Sequence, residues 1–493
     1  MLTTLIISGC SMCYELIISA VSSYLLGNST LQYSITIGLY MAALGLGSYI
    51  SKFFKKNIFI VFVLIEMSIG VIGGLSALVL FLAHIYIVNY DVVMYLEIIL
   101  IGVLAGAEIP LMTRIIEEDE QNLSVTLSSI FSFDYIGGLI GSIAFPLLLL
   151  PKLGYFATAF LCGFFNVVAS LLIIWKFSRR IPKVNIFRAV ASIITVVMIV
   201  GMILADNISN KIEGGLYRDT IIFMKQTPYQ KIVMTKHKDD VRLYIDGNCQ
   251  FSTVDEYRYH EALVHIPMNE IQDRSDVLVL GGGDGMAVRE ILKYPDVGKI
   301  DLVDLDAEMI KICRENADIV KINKNSLNSE KLTVHNMDAY KYLEKSEKKY
   351  DLIVVDLPDP NSESLNKLYS NVFYRLCAKC LEDEGVFVVQ STSPYYAKNA
   401  FWCINKTIES EGLNVLAYHL QVPAFGDWGF NMAGKKELSK NISLDIETKY
   451  LTNENIPGLF MFGKDEIAEN VEINRLTKPA LMFYYNKASD DWN

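Results

Sequence analysis

The first 206 residues consist of long apolar runs separated by short polar breaks. A helix that crosses a bilayer needs roughly 20 mostly apolar residues to span about 30 Å of hydrocarbon. Seven runs are long enough, at residues 2–26, 32–51, 57–87, 92–116, 126–150, 153–176 and 186–205. The pattern therefore predicts an N-terminal all-α polytopic membrane bundle of about seven helices over residues 1–206, with the lipid bilayer as its partner.

Small residues recur inside these runs, and they indicate how the helices pack. The clearest groups are Gly45-Leu46-Gly47-Ser48 and Gly137-Gly138-Leu139-Ile140-Gly141. Residues without bulky side chains let the backbones of two membrane helices approach closely. We expect both groups to lie at helix–helix contacts.

The pattern changes after a predicted linker at residues 207–216. Residues 217–270 contain short β-rich runs, including 232–235 and 241–245, which predict a small β subdomain. In residues 271–493, apolar strands alternate with helical stretches. These strands are predicted at residues 277–280, 299–303, 332–335, 352–355 and 386–390. Alternating strands and helices are typical of a doubly wound, largely parallel sheet, so a C-terminal α/β Rossmann-like domain is expected.

Composition and charge separate the same two parts. The 493-residue chain is 52% hydrophobic, with a mean hydropathy of +0.30, which excludes disorder and an ordinary soluble protein. Residues 1–206 contain 10 Lys and Arg and 11 Asp and Glu, whereas the remainder contains 34 and 44. The net charge of −11 therefore lies almost entirely in the second part. So acidic a chain excludes a basic nucleic-acid surface, and no nucleic-acid partner is expected.

A glycine turn follows the first strand of the α/β domain. The run Gly281-Gly282-Gly283-Asp284-Gly285 leads into a helical segment, which lets the backbone approach a nucleoside closely. About twenty residues later, the next strand ends at Asp304, where a carboxylate can accept hydrogen bonds from ribose hydroxyls. The third strand ends near Asp338-Ala339, where an adenine amino group can be recognised. The turn lacks the Gly-Lys-Ser/Thr ending of a triphosphate-binding loop, so an S-adenosyl ligand fits better.

Acidic residues surround the predicted position of the sulfonium group. Asp284 lies in the glycine turn, and Asp356 and Asp359 follow the fourth strand. Negative charge repels a ligand carboxylate and attracts an ammonium group. A decarboxylated S-adenosyl donor and a polyamine acceptor are therefore favoured over S-adenosylmethionine and a neutral substrate.

Several motifs together resemble one family. Gln230 in Pro228-Tyr229-Gln230-Lys231, the run 246–261, the turn 281–285 and the run 356–360 are similar to the spermidine synthase (polyamine aminopropyltransferase) family, in order and spacing. The resemblance covers about residues 217–486. Further runs resemble the bacterial branch of this family with an N-terminal multi-span membrane domain. These runs are 356–361, 368–374, 393–404 and 425–430.

The resemblance implies roles for individual residues. Asp356 is the expected proton acceptor of the attacking amine. The expected donor-binding residues are Gln230, Gly281, Gly282, Gly283, Asp284, Asp304, Asp338 and Ala339. The expected amine-binding residues are Tyr259, His260, Asp284 and Asp359. The co-substrate is decarboxylated S-adenosylmethionine, no metal is expected, and soluble members of the family suggest a homo-oligomer.

The expected reaction converts putrescine to spermidine and releases methylthioadenosine. Leu357-Pro358 and Asn361-Ser362 differ from the usual family residues on the acceptor side, which leaves the identity of the amine open. Two alternatives remain. One is an S-adenosylmethionine-dependent methyltransferase on the same fold, and the other is a polyamine transporter or sensor with a degenerate synthase domain.

The basic loops of the first part bear on its orientation in the membrane. The basic loops 52–56 and 176–183 favour the cytoplasmic face, which with seven crossings would place the second part outside. The adenosyl and polyamine chemistry predicted for the second part favours a multi-pass protein of the cell membrane with a cytoplasmic catalytic domain.

Five acids lie in or near the apolar runs: Glu15, Glu66, Glu97, Glu108 and Asp134. Either they line a cation path, such as one for a polyamine, or they form hydrogen bonds between helices.

Overall fold

The computed structural model of the protein describes residues 2–26, 29–87, 89–120, 123–215, 217 and 219–492. The chain divides into two compact units, Met1–Thr220 and Ile221–Asn493. Separate hydrophobic cores lie in the two units, with one core in the first and two in the second.

The described residues of the first unit form helices, apart from the start of a strand at Thr220. The helices are α1 (Leu2–Leu26), α2 (Ser29–Ser51), α3 (Ile58–Tyr86), α4 (Tyr90–Glu120), α5 (Leu123–Ala144), α6 (Leu150–Lys176) and α7 (Val184–Glu213). Each of the seven predicted apolar runs corresponds to one of these helices. The last helix continues to Glu213, through most of the segment predicted as a linker.

The boundary between α5 and α6 differs from the predicted one. The chain passes from α5 into α6 through a π-helical turn at Phe145–Leu149, and Gly154 has φ 71° and ψ −178°, which is not helical. Pro146 lacks an amide hydrogen and cannot continue a regular α-helical ladder, and glycine tolerates the positive φ. The bend therefore follows from residues inside the apolar runs rather than from a polar loop.

Six helical stretches of the described chain are long and apolar enough to cross a bilayer. They are Leu2–Leu26, Thr30–Ser51, Ile58–Tyr86, Tyr90–Glu117, Leu127–Lys176 and Val184–Ile212. The fifth stretch has 50 residues and includes both α5 and α6. These stretches are defined by length and composition alone.

Glycines bring pairs of helices into backbone contact, as predicted for two groups. A Cβ atom at Gly47 would lie 1.9 Å from the carbonyl oxygen of Val103, so α2 and α4 touch through their backbones. A Cβ atom at Gly137 would lie 2.2 Å from the carbonyl oxygen of Leu5, which joins α5 to α1. Gly45 has open space around it, so the prediction is wrong at that position.

One of the predicted intramembrane acids takes part in a hydrogen-bonded network between helices. Glu66 is fully buried and accepts a hydrogen bond from Nδ2 of Asn166 at 3.0 Å. The side-chain oxygen of Asn166 accepts a hydrogen bond from the hydroxyl of Tyr14 at 3.1 Å. This arrangement joins α1, α3 and α6, and it matches the second of the two interpretations of the acids.

Two sheets make up the strand structure of the second unit. The strands are β1 (Thr220–Gln226), β2 (Lys231–His237), β3 (Asp240–Ile245), β4 (Asn248–Ser252), β5 (Asp276–Gly281), β6 (Lys299–Asp304), β7 (Leu332–Asn336), β8 (Tyr350–Asp356), β9 (Leu381–Gln390), β10 (Asn414–Val422) and β11 (Gly426–Gly434). Strands β1 to β4 form a small sheet in chain order, in which β2, β3 and β4 pair antiparallel. The large sheet has the order β10-β11-β9-β8-β5-β6-β7.

Nine helices belong to the second unit. They are α8 (Glu256–Met268), α9 (Met286–Ile291), α10 (Ala307–Glu315), α11 (Ala317–Asn323), α12 (Ala339–Lys345), α13 (Glu363–Asn366), α14 (Asn371–Cys380), α15 (Lys398–Glu409) and α16 (Ala480–Trp492) among the described residues.

The large sheet is mixed rather than fully parallel. The five predicted strands, β5 to β9, are present and parallel, but β11 pairs antiparallel with both β9 and β10. Only residues 423–425 connect β10 to β11, and so short a connection permits a hairpin but no crossover. This hairpin was not predicted from the sequence.

The strand order reverses beside β5, and this reversal locates a binding crevice. After β5 the chain builds outward through β6 and β7, then returns to β8 on the other side of β5. Ligands of open α/β sheets bind outside the carboxyl ends of the strands at such a switch point. The carboxyl ends of β5, β6 and β8 carry Gly281, Asp304 and Asp356, which are three of the predicted site residues.

Candidate active site

The glycine turn packs directly on the end of β8. Gly281 has φ 82° and Gly282 has φ 63°, which is a left-handed conformation that glycine tolerates. The amide of Gly282 donates a hydrogen bond of 3.0 Å to the carbonyl oxygen of Asp356. A Cβ atom at Gly281 would lie only 2.0 Å from that same oxygen. The turn and Asp356 are therefore fixed relative to one another by backbone contacts.

Asp304 lies beside the turn at the end of β6. A Cβ atom at Gly283 would lie 2.5 Å from Oδ2 of Asp304, so the missing side chain makes room for this carboxylate. Oδ1 of Asp304 accepts a hydrogen bond of 2.9 Å from the amide of Asp306. Removal from bulk solvent raises the pKa of Asp304 to about 6, and the charges of Asp306 and Asp284 act in the same direction.

Gln230 reaches the same region from the loop between β1 and β2. Its Nε2 donates a hydrogen bond of 3.0 Å to Oδ2 of Asp306, which also accepts one of 2.8 Å from the hydroxyl of Thr227. Asp306 begins α10 by accepting a hydrogen bond from the amide of Glu308. The small sheet and β6 are thus joined through Asp306.

Asp338 and Ala339 lie at the start of α12, and Asp338 is two residues beyond the end of β7 at Asn336. Oδ1 of Asp338 accepts a hydrogen bond of 3.1 Å from the amide of Lys341, and Oδ2 pairs with Nζ of Lys367 at 2.5 Å. These contacts cap the helix and connect it to the segment after α13. Both carboxylate oxygens of Asp338 are therefore engaged within the protein.

Four predicted residues come together at the ends of β5 and β8. The hydroxyl of Tyr259 donates a hydrogen bond of 2.6 Å to Oδ1 of Asp356. Asp284 is 8% exposed, and its Oδ1 accepts a hydrogen bond from the amide of Met286. His260 is 2% exposed and lies close enough for the charges of Asp284 and Asp356 to act on it. The second unit therefore groups one cation, two carboxylates and a phenol.

The pKa values of this group favour opposite charges on His260 and Asp356. Desolvation raises the pKa of Asp356 to about 6, partly opposed by the charge of His260 and the hydrogen bond from Tyr259. Burial by itself would lower the pKa of His260, but the hydrogen bond to Glu256 and the charges of Asp284 and Asp356 raise it to about 9. Between these values His260 is an imidazolium and Asp356 is a carboxylate.

Asp359 lies in a separate set of contacts three residues later. Its Oδ2 accepts a hydrogen bond of 2.8 Å from the hydroxyl of Tyr485, and its Oδ1 accepts one of 3.3 Å from Nε2 of Gln390. The amide group of Gln390 also contacts the hydroxyl of Tyr369 at 2.6 Å. The charges of Asp359 and Asp356 both act on Tyr369, so the two acids share one neighbourhood.

Comparison with known proteins identifies the family. Residues 256–445 match the model of the spermine/spermidine synthase domain. The chain is 40% identical to a polyamine aminopropyltransferase of Oceanobacillus iheyensis, covering 99% of this chain and 96% of the relative. It is also 40% identical to a polyamine aminopropyltransferase of Leptospira interrogans, covering 100% of this chain and 98% of the relative. The chain belongs to the polyamine aminopropyltransferase family.

One solved structure is similar to half of the chain. It is a spermidine synthase crystallised with the transition-state analogue AdoDATO. The identity is 26% and the TM-score is 0.47, over 50% of this chain and 88% of that one. The aminopropyltransferase relatives, in contrast, match nearly the whole chain.

Several buried residues behind this aminopropyltransferase site were not predicted from the sequence. Glu256 contacts His260 and forms an ion pair with Arg289. Glu256 lies four residues before His260 at the start of a helix, and this spacing could have predicted the contact between them. Asp306 holds Gln230 and follows Asp304 by two residues. Tyr485 reaches Asp359 from α16, across 126 positions of sequence, and no local pattern indicates that contact.

One group of described residues could hold a metal ion by composition. His419, Asp427 and Glu466 place potential ligand atoms within 4.8 Å of one another. Nδ1 of His419 contacts Oδ1 of Asp427 at 2.8 Å, and Nε2 contacts the carbonyl oxygen of Met461 at 2.8 Å. Both ring nitrogens are thus engaged by oxygens of the protein, which is the arrangement of an ion pair.

We expect Asp359→Asn to raise thermal stability at pH 8 more than at pH 5. Desolvation raises the pKa of Asp359 from 3.8 to about 6, although the hydrogen bonds from Tyr485 and Gln390 act to lower it. A carboxyl group whose folded pKa is raised stabilises the fold fully below its unfolded pKa and loses that contribution as the pH rises through the folded value. Thermal unfolding of the full chain in detergent at the two pH values measures the difference.

The exposed residue Asp383, whose side chain is 96% accessible, provides a matched control. Asp383→Asn should leave the pH dependence of the unfolding temperature as it is in the wild type. An equal gain at pH 5 and pH 8 for Asp359→Asn would contradict the assignment of a raised pKa.

Proposed function

We propose that this protein transfers an aminopropyl group from decarboxylated S-adenosylmethionine to a polyamine, with putrescine as the acceptor and spermidine as the product. Family membership supports the reaction class. The convergence of Tyr259, His260, Asp284 and Asp356 at the switch point supports the location of the chemistry. The released by-product is methylthioadenosine.

The charge of the site favours amines over acids. Asp284 and Asp356 present carboxylates, and His260 is the cation that acts on both. An alkylammonium chain is attracted to such a site, whereas the carboxylate of an amino-acid donor is repelled. This preference distinguishes a decarboxylated donor from ordinary S-adenosylmethionine.

Asp356 is proposed to prepare the acceptor for attack. An alkylammonium group with a pKa near 10 has no free electron pair, so it must lose a proton first. Asp356 accepts that proton, the nitrogen lone pair forms a bond to the propyl carbon, and the carbon–sulfur bond breaks. The sulfur keeps the bonding electrons and becomes the neutral thioether of methylthioadenosine. Tyr259 donates to Oδ1 of Asp356, which leaves Oδ2 to accept the proton.

The donor is proposed to lie against the carboxyl ends of β5 and β6. The glycines at 281–283 bring the backbone close to the nucleoside, and Asp304 accepts hydrogen bonds from the ribose. Gln230 contacts the nucleoside near sulfur, and Asp338 with Ala339 contacts the adenine. In this arrangement Tyr259 and Asp284 hold the amine chain beside His260, and Asp359 holds its distal ammonium group.

A product screen tests the proposed function. The full chain in detergent is incubated with either adenosyl donor and a panel of diamines, and products are identified by mass spectrometry. We expect methylthioadenosine and an amine longer by one aminopropyl group. S-adenosylhomocysteine as the only nucleoside product would identify a methyltransferase instead, and no nucleoside product with any amine would contradict an enzymatic role.

We expect Gly283→Ala to raise the KM for the donor about tenfold or more, with little change in the KM for the amine. The added methyl group would lie 2.5 Å from Oδ2 of Asp304 and displace the proposed ribose ligand. Gly458→Ala is the matched control, because a Cβ atom there meets nothing within 4 Å. Steady-state kinetics with each substrate varied in turn give the two constants, and an equal effect on both would contradict the assignment.

The seven helices are proposed to form a multi-pass domain of the cell membrane. A helix of 50 residues would be about 75 Å long, more than twice the hydrocarbon thickness, so the stretch Leu127–Lys176 is proposed to cross twice. The bends at Phe145–Leu149 and Gly154 lie between the two crossings. The second unit is proposed to lie in the cytoplasm.

Reporter fusions test this topology. Green fluorescent protein fused after residue 493 should fluoresce, and alkaline phosphatase at the same position should be inactive. Cysteines introduced into the loops 52–56 and 176–183, which carry Lys and Arg, report their own side through impermeant thiol reagents. An active phosphatase fusion would place the second unit outside and overturn this part of the proposal.

We also propose that the chain forms a homo-oligomer, as the resemblance to soluble family members implies. Light scattering with correction for bound detergent measures the protein mass. A mass of 55.5 kDa would be that of a monomer and would contradict the proposal.

A further inference from the structure

His260 is held from one side by the first residue of its own helix. Nδ1 of His260 lies 2.9 Å from Oε2 of Glu256 and 2.9 Å from the carbonyl oxygen of Glu256. Two oxygens at this distance are acceptors, so Nδ1 carries a proton. The contacts with Glu256 therefore hold the imidazole through this nitrogen.

Glu256 is itself immobilised by a two-pronged contact. Nη1 of Arg289 lies 2.8 Å from Oε1 of Glu256, and Nη2 lies 2.9 Å from Oε2. Such forked pairs fix geometry as well as charge. Glu256 is 2% exposed and Arg289 is 7% exposed, so water screens the pair little.

The far side of Arg289 is also occupied. Its Nε donates a hydrogen bond of 2.7 Å to Oε1 of Glu290, and Oε2 of Glu290 contacts Nε2 of His265 at 2.9 Å. Lys293 pairs with the same Oε2 at 2.6 Å. Removal of the charge of Glu256 therefore leaves Arg289 with an anionic partner.

The charged groups facing His260 come from three parts of the fold. Glu256 lies on the same helix, Asp284 lies in the turn after β5, and Asp356 ends β8. Asp356 in turn faces His260, Asp284 and the hydroxyl of Tyr259. Of these groups only His260 brings a positive charge to Asp356.

We propose that Glu256, clamped by Arg289, is a positioning residue that acts through His260. It holds the imidazole in its doubly protonated form. The imidazolium keeps Asp356 ionised at neutral pH, so that Asp356 can take the proton of the acceptor amine. This inference rests on the proposed function for the role of Asp356.

The test is the pH dependence of kcat for the Glu256→Gln variant of the full chain. Glutamine keeps the size and an acceptor oxygen but removes the charge that stabilises the imidazolium. Without a nearby cation, Asp356 should bind its proton more tightly. We expect the acid limb of the pH profile to move upward by about one pH unit, since a neighbouring opposite charge shifts a carboxyl pKa by about 1–3 units. Activity should recover to within about threefold of the wild type at pH 9.

A double variant separates positioning from a direct effect. His260→Gln should move the acid limb by itself, and adding Glu256→Gln to it should move the limb no further. A further shift in the double variant would mean that Glu256 acts on Asp356 without His260, and the proposal would be wrong.

Glu261→Gln is the matched control for loss of a buried carboxylate on the same helix. Glu261 is 1% exposed and accepts hydrogen bonds from the amides of Lys449, Tyr450 and Leu451. Its replacement should lower stability without moving the acid limb. A limb that stays in place in Glu256→Gln while kcat falls equally at every pH would mean a purely structural role for Glu256.

Nitrogen NMR of the wild-type chain provides evidence that does not depend on the activity of any variant. With ¹⁵N-labelled histidine in nanodiscs, the His260 signals, assigned by their loss in His260→Gln, should report protons on both ring nitrogens at pH 8. A neutral ring at that pH would overturn the inference. A wild-type chain that makes no methylthioadenosine would instead overturn the proposed function, so the two failures are distinguishable.

Discussion

Asp356→Asn is expected to lower kcat for methylthioadenosine formation by about 10³-fold, because the amine loses its proton acceptor. Asparagine has nearly the same shape and still accepts the hydrogen bond that Tyr259 donates at 2.6 Å. The effect should therefore fall on kcat, with the KM of the donor changed little. Initial rates with saturating donor and diamine, measured by mass spectrometry, give the ratio.

Asp351→Asn is the control for this experiment, since Asp351 lies near the opposite end of the same strand. Its Oδ2 accepts a hydrogen bond from the amide of Asp276, away from the glycine turn. This variant should keep activity within a fewfold of the wild type. Polyamine uptake into vesicles that survives in Asp356→Asn, with no synthase activity in the wild type, would favour a transporter.

Gly281→Ala is expected to abolish activity and to destabilise the second unit by several kcal/mol. The methyl group would lie 2.0 Å from the carbonyl oxygen of Asp356, a backbone atom that cannot rotate away. Gly281 also has φ 82°, a conformation that costs alanine about 1–2 kcal/mol. Relief of the clash requires β5 and β8 to separate where the glycine turn meets Asp356.

Two measurements check this prediction. Urea unfolding followed by circular dichroism should report a lower midpoint for Gly281→Ala, and the product assay should report no methylthioadenosine. Gly412→Ala is a matched control, since Gly412 has φ 78° but open space around it. That variant should show the conformational cost alone, with activity retained, and an equal loss in both variants would mean that the clash is unimportant.

The architecture of both units was largely predictable from local patterns. The seven apolar runs form seven helices because a helix pairs the amide and carbonyl groups of a long apolar segment with one another. The strands β5 to β9 were predictable because apolar runs of this length alternate with helices. The hairpin of β10 and β11 was missed although Leu416, Tyr418, Leu420 and Val422 alternate with less apolar or more exposed positions, which is the pattern of a half-buried strand.

The acidic rim of the site was predictable for a similar reason. Asp284, Asp304 and Asp356 each follow a recognisable strand, and parallel strands bring their carboxyl ends to one edge of a sheet. The sequence predicted Asp338 near an adenine, but it did not indicate that the same carboxylate also contacts Lys341 and Lys367. A residue type and a strand end indicate where a carboxylate lies, but not which partners it takes.

The sequence by itself determined the apolar bundle, the acidic α/β unit and the identity of the residues at the sheet edge. These depend on periodicity and on the order of elements, which are local properties of the chain. Only the tertiary structure decided that Glu256 and Arg289 support His260 and that Tyr485 covers Asp359. Charge on a buried group depends on partners that lie far away in sequence and on the exclusion of water, and neither exists before the chain has folded.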